Sequence, residues 1–344
     1  MNIIEGDYLR DLLDQPAALQ RSVEGLTVED RLRRVAEGLG AGAFQRVILT
    51  GMGSSLHALH PLFMALNAAG HGALMLETSE LVNQMPGLLG PRVLIIAVSQ
   101  SGRSVEIVRL LEMTGSCTVV GITNTEDSPL AAKSHIRLWM RAGTESTVSC
   151  KTYLATLIQL EWLESALTGG DLERKRQELA QAPALAATYL ADWRSHVGSL
   201  VEMLDGVRHV FVVGRGRSLA AAGTGGLILK EATHFPAEGM SSAAFRHGPF
   251  ELLASHVFVL VFAGNAAASP LNRKLAADIR HAGGRAALVA TDASLDVFRL
   301  PAAPESLQPL MEILPVEMLT LALPALAGTE AGKFRLASKI TSIE

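Results

Sequence analysis

The sequence predicts an α/β protein of two tandem doubly wound domains, each built on a mostly parallel sheet. Three observations lead there. Short, unbroken apolar runs alternate with helical stretches, and the runs end in turns rich in glycine and serine. A glycine turn and its flanks in the first half return, ungapped, 163 positions later. The length of 344 residues suits two domains of roughly 150 residues each.

The first apolar run, Arg46 to Thr50, ends in Gly51-Met52-Gly53-Ser54-Ser55 and passes into a helical pattern. The second, Val93 to Val98, ends in Ser99-Gln100-Ser101-Gly102 before the helical stretch Val105 to Met113. The third, Thr118 to Ile122, is followed by Thr123-Asn124-Thr125. Apolar runs without alternation are what a parallel sheet requires when helices cover both of its faces. In the repeat, Val47, Gly51, Gly53, Ser55, Leu56 and Ala58 fall on Val210, Gly214, Gly216, Ser218, Leu219 and Ala221. Val257 to Ala263 and Ala286 to Ala290 then answer the second and third runs, and the boundary is expected among helices between Tyr153 and Leu204.

Composition narrows the class. Hydrophobic residues make up 49% and charged residues 19%, so each half can bury a core. A net charge of -4 gives no reason to expect a nucleic-acid partner. Cys117 and Cys150 make no disulfide framework and lack the spacing of a metal site, so neither metal nor cofactor is expected. The acidic start, Met1 to Asp7, has no signal pattern, and runs such as Val93 to Val98 and Val257 to Ala263 are too short to cross a bilayer. A cytoplasmic protein without a membrane partner is the expectation.

The chemistry-bearing turns come next. Ser99-Gln100-Ser101-Gly102-Arg103-Ser104 lies where a buried strand hands over to a helix, so hydroxyls and main-chain N–H groups gather at a helix N-terminus. Ser54 and Ser55 add hydroxyls at the same edge. A phosphate monoester fits such a site; a serine-rich helix cap without a ligand accounts for the same residues. In the second half the loop reads Ala263-Gly264-Asn265-Ala266-Ala267 and has no serine, so one half alone looks equipped for phosphate. Gly51-Met52-Gly53 and Gly214-Arg215-Gly216 lack the third glycine of a dinucleotide site, which disfavours a dehydrogenase.

Taken together, Ser99-Gln100-Ser101-Gly102, Gly53-Ser54-Ser55, Lys230-Glu231, Arg246-His247-Gly248-Pro249, the tail from Gly328 and Asp14-Gln15-Pro16 carry a resemblance over essentially the whole chain. The sequence resembles the double-SIS-domain phosphosugar isomerases and deaminases, and is similar to the isomerase half of glucosamine-6-phosphate synthase without its glutaminase domain. That domain carries a cysteine after the initiator Met; residue 2 here is Asn, so no glutamine hydrolysis is expected. The resemblance implies two flavodoxin-like three-layer α/β/α SIS domains at 31–165 and 195–330. It also implies a helical segment at 1–30 and a tail, 331–344, that completes the active site. The stretch Ala142 to Lys151 is one residue shorter than its counterpart in the family, and Ala244 stands where the family often has an acid.

Interconverting an aldose and a ketose needs a base that moves a proton between adjacent carbons, and Glu231 matches the family's catalytic glutamate. From its helical position alone it reads rather as a solvated surface charge, and the match to the family reverses that preference. His247, near neutral in its unperturbed pKa, suits opening of the cyclic sugar, and the resemblance implies that it is shared across a homodimer. Outside the resemblance it reads as a structural loop histidine. Lys339 lies five residues from the end, where the family has its C-terminal lysine; the resemblance implies contact with O1 or O2, or a Schiff base. Val148 and Ser338 are expected on the sugar, and Ser54, Ser55, Ser99, Gln100, Ser101 and Ser104 on its phosphate. The expected function is an isomerase or deaminase of an amino-sugar phosphate such as glucosamine 6-phosphate, or of fructose 6-phosphate. The alternatives are a fructosamine-6-phosphate deglycase and a non-catalytic phosphosugar sensor.

Overall fold

The structure, a computed structural model, describes residues 3–336 together with Ser338 and Lys339. One sheet holds β1 (Arg46–Gly51), β2 (Ala73–Glu77), β3 (Val93–Val98), β4 (Thr118–Thr123) and β5 (Ile136–Trp139) in the order β2-β1-β3-β4-β5. The other holds β6 (His209–Gly214), β7 (Ala237–Ser241), β8 (Val257–Phe262) and β9 (Arg285–Val289) in the order β7-β6-β8-β9. Every strand pairing is parallel. The α/β class with two parallel sheets is therefore as expected.

The apolar runs became the interior strands. All six residues of β3 and all six of β8 are buried, as strands covered on both faces must be. Strands β2, β5 and β7, which no apolar run announced, lie at sheet edges and are only partly buried. An edge strand shares its surface with solvent and so carries a mixed sequence, such as Ala-Glu-Gly-Met-Ser in β7.

The chain forms two compact units, each assembled from discontinuous stretches. The first-sheet unit takes residues 17–144 and 151–180, with Ser338 and Lys339; the second-sheet unit takes 3–16, 145–150 and 181–336. The expected boundaries at 31–165 and 195–330 are contiguous, and the difference has a physical origin in the second-sheet unit. Its long helix Gln308–Ala327 buries Glu312, Glu317 and Thr320 in an otherwise apolar surface. Buried polar groups need partners, and the N-terminal segment supplies those of Glu317 and Thr320. Gln15 Nε2 donates to Glu317 Oε1 at 2.6 Å, and Tyr8 Oη bonds Thr320 Oγ1 at 3.0 Å. Asp11 Oδ2 accepts from the Ser146 N–H at 2.7 Å, drawing in the short stretch 145–150 as well.

By length and composition the stretch Glu305–Ala327 could cross a membrane, and 83% of its apolar window is buried in the fold. Pro315 and Pro324 interrupt its hydrogen bonding, and Glu312 and Glu317 are 1% and 0% exposed. Burial raises the pKa of Glu312 to about 8, opposed by hydrogen bonds from Gln308 and Ser218, and raises that of Glu317 well above the ordinary carboxyl range.

The glycine shared by both repeats has a packing reason. A Cβ on Gly214 would stand 2.8 Å from Ser218 Cβ, and one on Gly51 would stand 3.0 Å from the Val98 carbonyl and 3.1 Å from Ser55 Cβ. Gly214→Ala should lose about 1–3 kcal/mol in urea unfolding because neither backbone nor serine can retreat from a closely packed turn. A second expectation concerns pH. An unfolded glutamate releases its proton near pH 4.3, roughly, while folded Glu312 keeps it until about 8. The folded chain thus binds the extra proton in that window, and stability falls as pH rises through it. Glu312→Gln should match the wild type in unfolding at pH 5 and exceed it by about a few kcal/mol at pH 8.5.

Candidate functional site

Strands β1 and β3 are neighbours, with Thr50 paired to Ala97, while β2 lies outside β1 and β4 outside β3. The strand order reverses between β1 and β3, which opens a crevice at their carboxyl ends where ligands of such sheets bind. The two serine-bearing turns, 51–55 and 99–104, emerge side by side there.

The second turn is held from below by β4. The Gln100 carbonyl accepts from Thr123 Oγ1 at 3.1 Å and from the Asn124 N–H at 3.0 Å. Gly102 has φ +61°, and a Cβ there would run into Ser128 Oγ, which caps the helix Pro129–Lys133. Ser99 Oγ accepts from the Gly102 N–H at 3.1 Å, and Ser101 Oγ from the Arg103 N–H at 3.2 Å. A hydroxyl that accepts retains its own proton to donate. Ser99 is buried, so it chiefly shapes the turn, while Ser101 and Ser104 are half-buried. Ser104 makes no side-chain bond to the helix Val105–Met113 that it precedes, leaving the first-turn N–H groups without a side-chain cap. The one cation of the loop, Arg103, is held by Asp127 through Oδ1 at 3.0 Å and the carbonyl at 2.7 Å. The turn therefore offers neutral donors and a helix dipole to an anion. Ser54 and Ser55, both half-buried, begin the short helix Ser54–Ala58.

The remaining expected residues divide between the units. Ser338, exposed, and Lys339, half-buried, fall in the first-sheet unit. Glu231, His247 and Val148 fall in the second-sheet unit. Glu231 is half-buried on the helix Leu219–Thr233, which lies close on β7: a Cβ on Gly226 would collide with the backbone of Gly239. His247 is exposed after the helix Ser242–Phe245, in a loop anchored by buried Phe245 and by an Arg246–Asp278 ion pair of 2.6 Å. Val148 is fully buried, and its stretch is pinned by Glu145 Oε1, which accepts from the Cys150 N–H at 3.0 Å. A ligand reaches Val148 only if 145–150 opens. Among the described residues no cluster of potential metal ligands occurs.

The sequence reading passed over a cavity of about 400 Å³ in the second-sheet unit, at the carboxyl ends of β8 and β9. Its lining includes Gly264, Asn265, Arg273, Gln308 and Glu312. Ser218 Oγ donates to Glu312 Oε1 at 2.9 Å and Gln308 Nε2 donates to the same oxygen at 2.8 Å. The available signal was two glutamates within a long apolar helix, since glutamate is rarely buried without a specific reason.

With this geometry in place, comparison with known proteins is specific. Residues 44–165 match the SIS domain family. The isomerizing glutamine–fructose-6-phosphate aminotransferase of Pyrococcus horikoshii is 29% identical over 351 residues, which cover 98% of this chain and 57% of that relative. The chain thus spans little more than half the length of the curated relatives it matches. Among solved structures, the C-terminal domain of the glucosamine–fructose-6-phosphate aminotransferase of Francisella tularensis superposes with TM-score 0.84 at 20% identity, covering 96% of this chain and 98% of that one. The glucosamine-6-phosphate deaminase of Thermotoga maritima superposes with TM-score 0.79 at 18% identity, covering 98% and 100%. Residues 44–165 thus match the SIS domain, in a chain similar along 98% of its length to an isomerizing aminotransferase of which it spans 57%.

Proposed function

We propose that the chain is a phosphosugar enzyme, an aldose–ketose isomerase or deaminase acting on an amino-sugar phosphate such as glucosamine 6-phosphate, or on fructose 6-phosphate. The observation that carries this reading is the serine turn 99–104 at the point of strand reversal, beside a helix whose first turn no side chain caps. Ser101 and Ser104 donate to the phosphate with Ser54 or Ser55, while Ser99 and Gln100 fix the turn. The second-sheet unit is read as a second SIS domain, supported by its order β7-β6-β8-β9, which repeats β2-β1-β3-β4.

With the phosphate held, the carbonyl end of the open-chain sugar is left for chemistry. Glu231 takes the proton from C2 of the aldose, leaving an enediol, and returns a proton to C1 to give the ketose. With an amino group on C2 the same transfer gives a C2 imine, which water converts to a ketone and ammonia. A carboxylate in this role works best with its pKa near the operating pH. His247 serves ring opening, and Lys339 contacts O1 or O2, with Val148 and Ser338 on the sugar. The active form is a homodimer that shares His247.

Replacing Ser101 and Ser104 together by Ala should weaken calorimetric binding of glucosamine 6-phosphate at least about tenfold, from loss of two hydrogen bonds to a charged group. Unchanged affinity would remove the phosphate assignment. Solvent deuterium entering C1 or C2 reports proton abstraction whatever group leaves. Glu231→Gln should slow that exchange about 100- to 10,000-fold with binding largely kept. Exchange at the wild-type rate in this variant places the base elsewhere, and none from the wild type with any phosphosugar makes the chain a binder.

A further inference from the structure

We infer that the cavity at the carboxyl ends of β8 and β9 binds a small primary amine with a largely apolar body, its ammonium facing Glu312. The site is the internal repeat's counterpart of the serine turns. Ser218 corresponds to Ser55, and the loop after β8 corresponds to the loop after β3. In the second copy that loop, Ala263-Gly264-Asn265-Ala266-Ala267, carries no hydroxyl. The hydroxyl of Ser218 is spent on Glu312 Oε1. Where the first copy offers proton donors to an anion, the second places a carboxyl.

The charges around the cavity agree with that inversion. Glu305 and Glu312 line it, and its one lining cation, Arg273, is engaged by Asp292 Oδ1 at 2.6 Å and by Ser269 Oγ at 3.0 Å. Glu305 Oε1 accepts from Asn265 Nδ2 at 2.8 Å. Glu312 itself is 1% exposed, its Oε1 takes both neutral donors, and its Oε2 is buried without a hydrogen-bond partner among the described residues. A buried carboxyl oxygen without a partner is costly, and an ammonium would satisfy it. Leu300, Pro301, Ala303 and Met311 form apolar wall for the rest of the ligand. Since burial keeps Glu312 protonated up to about pH 8, the entering ammonium displaces one proton. The carboxyl O–H bond breaks, the proton leaves to solvent, and the carboxylate pairs with the cation.

Cyclohexylamine, an ammonium at neutral pH, and cyclohexanol, its neutral match in size, test the assignment by calorimetry on the full chain. The amine should bind at least about tenfold more tightly than the alcohol, with release of a proton to the buffer. Glu312→Gln, which keeps shape and removes the charge, should lose at least about tenfold of that affinity. Ala266→Trp, which fills the exposed rim of the cavity, should lose it too and decides the matter if Glu312→Gln does not fold. Ser101→Ala/Ser104→Ala should leave amine binding unchanged even if the phosphosugar assignment fails. Equal binding of amine and alcohol, no saturable binding of the amine, retention in Ala266→Trp, or loss in the serine variant would each overturn the inference.

Discussion

Each sheet turns on a glycine at the end of its central strand, pressed against a serine four residues later. Gly51 lies under Ser55 and Gly214 under Ser218, where a Cβ would be tight at the first place and would clash at the second. The contact lets the chain leave the strand and enter the next helix in one tight turn. It also holds the serine at the carboxyl edge, beside the point where strand order reverses. Both crevices depend on it, whatever chemistry each has since acquired.

The second-sheet unit adds a different constraint. Its core helix Gln308–Ala327 is nearly all buried, yet it carries Glu312, Glu317 and Thr320. Each of these sets part of the surrounding structure. Glu317 and Thr320 are met by Gln15 and Tyr8, which fixes the N-terminal helix in this unit. Glu312 is met on one oxygen by Ser218 and Gln308, and its other oxygen is buried without a hydrogen-bond partner among the described residues. Apolar burial makes the helix stable, and its few polar groups decide which distant segments dock on it.

How much of this was legible in the sequence follows the range of the interactions. Interior strands such as β3 and β8 are read from composition, because burial on both faces leaves only apolar residues. The serine turn 99–104 is read for the same reason: its hydroxyls, glycine and helix start are contiguous. Edge strands such as β7 escape, since a half-solvated strand carries no clear period. The division into units escapes as well, because the Tyr8–Thr320 bond joins residues 312 positions apart. Glu312 is the clearest case: its partner Ser218 is 94 residues away, and nothing local to either distinguishes a ligand-facing carboxyl from a structural one.

The turns after β1 and β6 share a glycine–serine contact but present different groups at the sheet edge. In the first, the cation of the serine loop, Arg103, is tied to Asp127, and hydroxyls stand at a helix N-terminus that no side chain caps. Neutral donors suit a phosphate because they need no desolvation of a fixed positive charge before the ligand arrives. In the second, the hydroxyl that would serve an anion is turned onto Glu312, so the donor is consumed and an acceptor stands in its place. The glycine–serine contact recurs in both sheets, and in the second a carboxyl from a neighbouring helix takes up the serine hydroxyl.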